Sequence, residues 1–180
     1  DQFCLLDHPV TDLSGKRLGI IGYGELGQGV ARVAPAFGME VMVADRPGAS
    51  PREGRFAFDR VVAEADIISL HCPLTNDNHG MVNLDFLQRM KDTAWLINTA
   101  RGGLINESDL AATLDDGTIA AAALDVMNQE PPSSATPLLS KHRQNLLITP
   151  HMAWAAVSAR QKVVQLTAEN LKEFLKQRAL

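Results

Sequence analysis

The 180-residue chain has room for one substantial domain or two small ones, and its 46% hydrophobic and 21% charged residues are ordinary for a globular protein in water. A formal net charge of −4, with no basic run, excludes the electrostatic footprint of a nucleic-acid binder. No apolar stretch reaches the length of a membrane span, and none reads as a signal peptide.

Residues 1–15 show no clear period and end in Asp12-Leu13-Ser14-Gly15, a turn into the first strand. The first residue is Asp, which we read as the mark of a fragment or a cropped domain. Residues 18–21 form a short apolar run ended by glycine, as in a buried strand. Gly22, Gly24 and Gly27 then make G-x-G-x-x-G, with Glu25 and Leu26 opening a helix. Gly22 makes the tight turn, Gly24 lets a pyrophosphate approach the backbone, and Gly27 lets helix and strand lie close. Free N–H groups and the helix dipole hold the phosphate charge. The helix is expected to bury Leu26, Val30, Val33 and Ala34 on one face and to end at Gly38.

Residues 39–44 read as a second strand, with Asp45 at its end, about 20 residues past the glycines. An acid there accepts hydrogen bonds from the adenosine ribose, so NAD is the expected cofactor. Asp45 repels a 2′-phosphate, while Arg46 beside it partly offsets that charge. Residues 46–55, rich in Pro, Gly and charge, form an exposed loop. A helix over 58–65 and a strand over 66–70 follow, closed by His71-Cys72-Pro73. Cys4 and Cys72 lack metal-type spacing, so free thiols in a reducing cytoplasm are expected ahead of a disulfide, and no metal site.

Residues 83–90 are helical with Asn83 as N-cap, and 93–98 form a fourth strand ending in Thr99-Ala100-Arg101-Gly102-Gly103. Asn106 caps a helix closed by Gly117; an alanine-rich fifth strand, 119–124, ends at Asp125 ahead of Glu130-Pro131-Pro132. A sixth strand, 146–148, ends in Thr149-Pro150-His151. A long helix over about 156–177 carries Val163, Val164, Leu171, Phe174 and Leu175 as its apolar stripe. Strands alternating with helices predict an α/β fold: a doubly wound parallel sheet of Rossmann type, six strands in two βαβαβ halves.

In such a sheet every strand ends at one edge, where ligands bind. That edge gathers Arg101, Asp125, Glu130 and His151 near the expected nicotinamide position. The set suits reduction of a 2-keto acid. Arg101 is a bidentate donor for the carboxylate and keto oxygen, and His151 is the natural proton donor, since histidine is the side chain suited to proton transfer near neutral pH. Glu130 either orients that imidazole or is a solvated loop acid. Asp125 either caps the strand-end turn or bonds the nicotinamide carboxamide. His8, His71, His79 and His142 are read as structural or exposed.

Gly22-Tyr23-Gly24-Glu25-Leu26-Gly27, His71-Cys72-Pro73-Leu74-Thr75, Asn98-Thr99-Ala100-Arg101-Gly102-Gly103, Asp125 with Glu130-Pro131-Pro132, and Pro150-His151 together resemble the D-isomer-specific 2-hydroxyacid dehydrogenases. The resemblance runs in order over nearly the whole chain. It implies an NAD-dependent enzyme with Arg101, Glu130 and His151 as its catalytic set. It implies that Leu74 and Thr75, next to Cys72 and Pro73, line the adenosine side, and that Thr99, Ala100, Arg101 and Asp125 flank the nicotinamide. It also implies a homodimer formed through this domain, and a second domain, built from the two chain ends, that closes over the cofactor. Nothing in 1–180 corresponds to that second domain, so the whole chain is expected to be the NAD-binding domain alone.

Residues 23–28 and His151-Met152-Ala153-Trp154 look most like the bacterial glycerate dehydrogenase, or hydroxypyruvate reductase, branch. That implies glycerate/hydroxypyruvate or glycolate/glyoxylate as substrate, with Trp154 walling a small pocket. The alternatives are an NAD-sensing, corepressor-like binding module on the same fold, or a phosphite- or formate-type dehydrogenase. The formate enzymes carry Gln where Glu130 stands.

Overall fold

The computed structural model describes residues 10–178; Cys4 and His8, and most of the lead-in, lie outside the described residues. Six strands pair in parallel throughout: β1 (Arg17–Ile21), β2 (Glu40–Val43), β3 (Ile67–Leu70), β4 (Trp95–Asn98), β5 (Ala121–Leu124) and β6 (Leu146–Ile148). Their order is β2-β1-β3-β4-β5-β6. The direction of winding reverses between β1 and β3, the topological switch point where such sheets bind ligands. The two halves are unequal. In place of a third strand beside β2, Ala44 forms an isolated bridge to Phe56.

Among the described residues four α-helices connect strands, α1 (Glu25–Val33), α2 (Phe58–Glu64), α3 (Leu84–Arg89) and α4 (Glu107–Asp116), and α5 (Val157–Arg178) follows β6. The expected caps are in place. Asn83 Oδ1 accepts from Phe86 N at 3.0 Å, and Asn106 Oδ1 accepts from Ser108 N at 3.1 Å. α1 passes into a 3₁₀ turn, Ala34–Phe37, that stops at left-handed Gly38, so the boundary expected there holds although the last turn tightens.

The side chains alternate between two cores. Ile68 and Leu70 of β3, Leu96 of β4 and Leu124 of β5 face the larger one, with Val61, Phe86 and Leu110 from α2, α3 and α4. Leu18 and Ile20 of β1 face a smaller core with Ala34, Met39 and partly buried Val30 and Ala31. Two sequence expectations are corrected here. Leu26 and Val33 point into solvent, 72% and 55% exposed, because α1 lies on the sheet through Gly27, Val30 and Ala34 instead. The apolar stripe of α5 is also exposed, and among the described residues α5 buries none of its own.

The coverage of the sheet is uneven as a result. Over β4 to β6 the face turned away from α2, α3 and α4 leaves Trp95 49% and Leu147 62% exposed. Leu96, next to Trp95 on the opposite face, is 0% exposed. Leu96→Ala is therefore expected to cost about 2–5 kcal/mol. Leu147→Ala should stay within about 0.5 kcal/mol. Urea unfolding of both variants checks the pair.

Candidate functional site

All six strands run the same way, so the loops after β1, β2, β3, β4, β5 and β6 meet along one edge. At its β1 end the backbone forms a cradle. Gly22 adopts φ +96°, and a Cβ there would strike the Cys72 amide; a Cβ on Gly27 would strike the Gly22 carbonyl. Gly24 faces open space and N-caps α1 without a side-chain partner, leaving the helix start free for an anion. A cleft of about 810 Å³ continues from Gly22 and Tyr23 past Asp45 and Arg46 to Cys72, Pro73 and Thr75. Cradle and cleft fit a dinucleotide, with the phosphates on the Gly22–Gly27 turn and the adenosine toward Asp45. Leu74 does not line this cleft: its Cδ2 would lie 2.7 Å from a Cβ on Gly103. Exposed Leu26 offers its backbone at the helix start, and its side chain stays in solvent.

Asp45 stands at the end of β2 as expected, yet its carboxylate is already engaged. Arg52 Nε donates to Oδ2 at 2.9 Å and Arg52 Nη2 to Oδ1 at 2.8 Å. The backbone amides of Arg46 and Arg52 add one bond to each oxygen, both at 2.9 Å. The Arg52 guanidinium, then these amides, hold the Asp45 carboxyl far below the usual carboxylate range. Asp45 thus stands at the adenosine end of the cleft with both oxygens already accepting hydrogen bonds. Arg52 went unread because its loop looked merely exposed; three arginines within ten residues of the acid were the available signal.

Beyond β3, Ser69 Oγ and His71 Nε2 lie 2.9 Å apart, and burial lowers the His71 pKa. Burial also raises the Cys72 thiol. After β4, fully buried Asn98 ties down the next loop. Its Oδ1 accepts from Ala100 N at 3.0 Å and its Nδ2 donates to Arg101 O at 2.9 Å. Arg101 is exposed, and among the described residues no carboxylate pairs with it. A Cβ on Gly102 would strike the backbone of Met127, so this glycine lets the Arg101 loop lie against the one leading to Glu130.

Asp125, at the end of β5, makes the turn bonds of the first of its two sequence readings. Oδ1 accepts from Thr149 Oγ1 at 2.5 Å and from Met152 N at 2.9 Å; Oδ2 accepts from Ala153 N at 2.8 Å. It fastens the turn after β6. Burial raises its pKa, but the Thr149 hydroxyl and the two amides outweigh burial and leave the carboxyl below its ordinary value.

That turn carries His151 at φ +50°, the left-handed region. The indole N–H of Trp154 donates to His151 O at 2.7 Å. His151 Nδ1 lies 2.5 Å from Glu130 Oε2, and Met127 N donates to Glu130 Oε1 at 2.9 Å. Of the alternatives for Glu130, the structure therefore has the His151 partner. The His151 hydrogen bond first, then the Met127 amide, lower the Glu130 carboxyl from its ordinary value.

Comparison with known proteins gives a consistent picture. Residues 5–153 match the family described as D-isomer specific 2-hydroxyacid dehydrogenase, NAD binding domain. A glycerate dehydrogenase of Methylorubrum extorquens is 42% identical over 174 residues, covering 97% of this chain and 54% of that protein. A hydroxypyruvate reductase of Blautia hydrogenotrophica is 40% identical over 179 residues, covering 97% and 55%. The solved NAD-complexed D-isomer specific 2-hydroxyacid dehydrogenase of Lactobacillus delbrueckii ssp. bulgaricus has TM-score 0.83 and 30% identity, over 98% of this chain and 58% of that one. The chain thus spans about half the length of the curated relatives it matches.

A carboxyl whose folded pKa is depressed lends stability above its unfolded value and loses it as pH falls through the folded one. The Glu130 contribution is therefore full above its reference value of 4.5 and fades on acidification below it. His151→Phe removes the principal cause of the depression, so Glu130 is expected to protonate at higher pH in that variant. A carboxyl-carbon NMR titration reads this directly; an unchanged curve would mean that the pair does not form in solution.

Proposed function

The chain belongs to the D-isomer-specific 2-hydroxyacid dehydrogenase family as its NAD-binding domain, and from that premise we propose that it carries the reacting groups of an enzyme that interconverts a small 2-keto acid and its D-2-hydroxy acid. The observation that supports this most is the Glu130–His151 hydrogen bond at the sheet edge that also holds the glycine cradle. When bound in the cleft, NADH would supply the hydride for the keto carbon. With Nδ1 committed to Glu130, His151 Nε2 is the free donor, and it passes its proton to the keto oxygen as charge develops there. In the reverse direction the neutral ring takes that proton back. Arg101 clamps the substrate carboxylate and keto oxygen through its planar fork. Asp125 and the Trp154 indole act through the backbone of the His151 turn, holding it where the imidazole can meet the substrate.

Glycerate/hydroxypyruvate or glycolate/glyoxylate is the substrate class we favour, supported by the names of the relatives and by Trp154 beside His151. The domain that orients the substrate is assigned to chain outside these 180 residues, in keeping with the share of the relatives that the chain covers. A homodimer through this domain belongs to the same reading, supported by the apolar sheet face around Trp95 and Leu147. A cytoplasmic setting suits the free Cys72 thiol. Among the described residues no helix is long and apolar enough to cross a membrane.

The chain by itself is expected to bind NADH in a fluorescence titration yet to oxidise it with hydroxypyruvate only at a trace rate. An exposed ion pair to Arg101 is worth only about 0–1 kcal/mol, too little to hold the keto acid in position. Near-normal turnover by the 180 residues would place substrate orientation inside this domain and overturn the assignment.

In the enzyme that includes the substrate-binding domain, His151→Asn should lower turnover about 10²–10⁴-fold with NADH affinity little changed. Glu130→Gln, which replaces the carboxylate on Nδ1 with a neutral amide, should also lower turnover with NADH affinity little changed. Steady-state rates check both variants, and a loss of NADH binding equal to the loss of rate would make His151 a cofactor residue.

A further inference from the structure

The loop after β2 is a closed excursion from the sheet. Asp45 N donates to Phe56 O and Phe56 N to Val43 O, both at 2.9 Å, so its two ends are pinned together. The loop carries Arg46, Arg52 and Arg55 to the wall of the 810 Å³ cleft that also holds Asp45. Against the cleft's two carboxylates, Asp45 and Asp77, three guanidinium groups leave an excess of positive charge. The Arg55 guanidinium stacks 4.3 Å from the centre of the Tyr23 ring, next to the cradle, and among the described residues no carboxylate pairs with Arg46 or Arg55.

An acid in this position bonds the ribose 2′-hydroxyl of NAD and repels a 2′-phosphate, whereas a nearby arginine accommodates that phosphate. Here the compensation is built in, and only one partner is free to move. The Asp45 side chain is 3% exposed, whereas that of Arg52 is 67% exposed. If Arg52 turns away, each Asp45 oxygen keeps a backbone donor, Arg46 N on Oδ1 and Arg52 N on Oδ2. The buried carboxylate is then not left bare, and its low pKa outlasts the departure of the side chain in part. A guanidinium that leaves a carboxylate for a phosphate exchanges one bidentate anion for another of higher charge.

We propose that Arg52 is the cofactor-specificity residue of this site: it neutralises Asp45 in the free protein and swings to a 2′-phosphate, so that the cleft takes NADP(H) as well as NAD(H). The proposal rests on the reading of the cleft as a dinucleotide site. It goes beyond the sequence-level expectation, in which Asp45 with Arg46 alone set the preference.

The test is a fluorescence titration of the 180-residue chain with NADH and with NADPH. The unmutated chain is expected to bind the two within about tenfold of each other. Arg52→Ala leaves the Asp45 charge unmatched and should raise the ratio of the NADPH to the NADH dissociation constant at least about tenfold. Arg52→Lys, which keeps a cation, should change the ratio much less. Should Arg52→Ala fail to fold, as judged by its melting curve, the unmutated chain still decides. Raising salt from about 0.05 to about 0.5 M should weaken NADPH more than NADH, since the phosphate contact is exposed to screening.

A ratio beyond about 100 in the unmutated chain, or one unmoved by Arg52→Ala, would overturn the role given to Arg52 and leave the dinucleotide site standing. Failure of the unmutated chain to bind either compound would overturn the dinucleotide reading itself, and this proposal with it.

Discussion

A strand that must pair in parallel with its neighbour has to carry its chain back across the sheet before it can start again. Six such strands therefore deliver six loops to one edge, however far apart the residues lie in sequence. Every part of the candidate site depends on that return. The cradle follows β1, Asp45 follows β2, Arg101 follows β4, and the two halves of the Glu130–His151 pair follow β5 and β6. Twenty-one residues separate Glu130 from His151, but only one strand spacing separates the ends that bear them.

Bringing loops to one edge does not hold them still. That task falls to polar side chains buried at the strand ends. Asp45, Asn98 and Asp125 are each 6% exposed or less, and each directs its side chain to the backbone of a loop. Among the described residues no buried side-chain nitrogen or oxygen lacks a partner. Buried polar groups are costly unless satisfied, so such a residue fixes its loop as firmly as the loop satisfies it. Asp125 is the clearest case. It spends both oxygens on the turn that carries His151, and a left-handed histidine needs such support because that backbone region is unfavourable for a residue with a Cβ.

The same sheet is unevenly covered. α2, α3 and α4 shield one face, while α1 shields only the β1 side of the other. Parallel sheets ordinarily have both faces covered. Here the face around Trp95 and Leu147, and the stripe of α5 with Val163, Val164 and Leu171, are apolar and exposed together. The strand-end edge is thus tied together by buried polar groups, while the sheet face around Trp95 and Leu147 stays exposed among the described residues.

Much of this was legible in the residues themselves, for a physical reason. Strand periodicity, the glycine spacing, the caps at Asn83 and Asn106 and the stop at Gly38 are local signals, decided by backbone sterics and by neighbours within a few positions. So the strands, helices and strand-end residues could be read in order, and a parallel topology then placed Arg101, Glu130 and His151 on one edge. What the sequence did not carry were facts set by neighbours distant along the chain, or by which face of an element meets the sheet. Leu26 and Val33 had the right helical spacing, yet α1 approaches β1 through Gly27, where no side chain stands in the way. Asp125 looked equally suited to a ligand or to a turn until the fold placed the Met152 and Ala153 amides against it. Asp45 was recognisable as an acid at a strand end, but its pairing with Arg52 required the loop to close back on Phe56. Local composition names the groups at an edge; only the tertiary structure decides which of them spend their charge on one another.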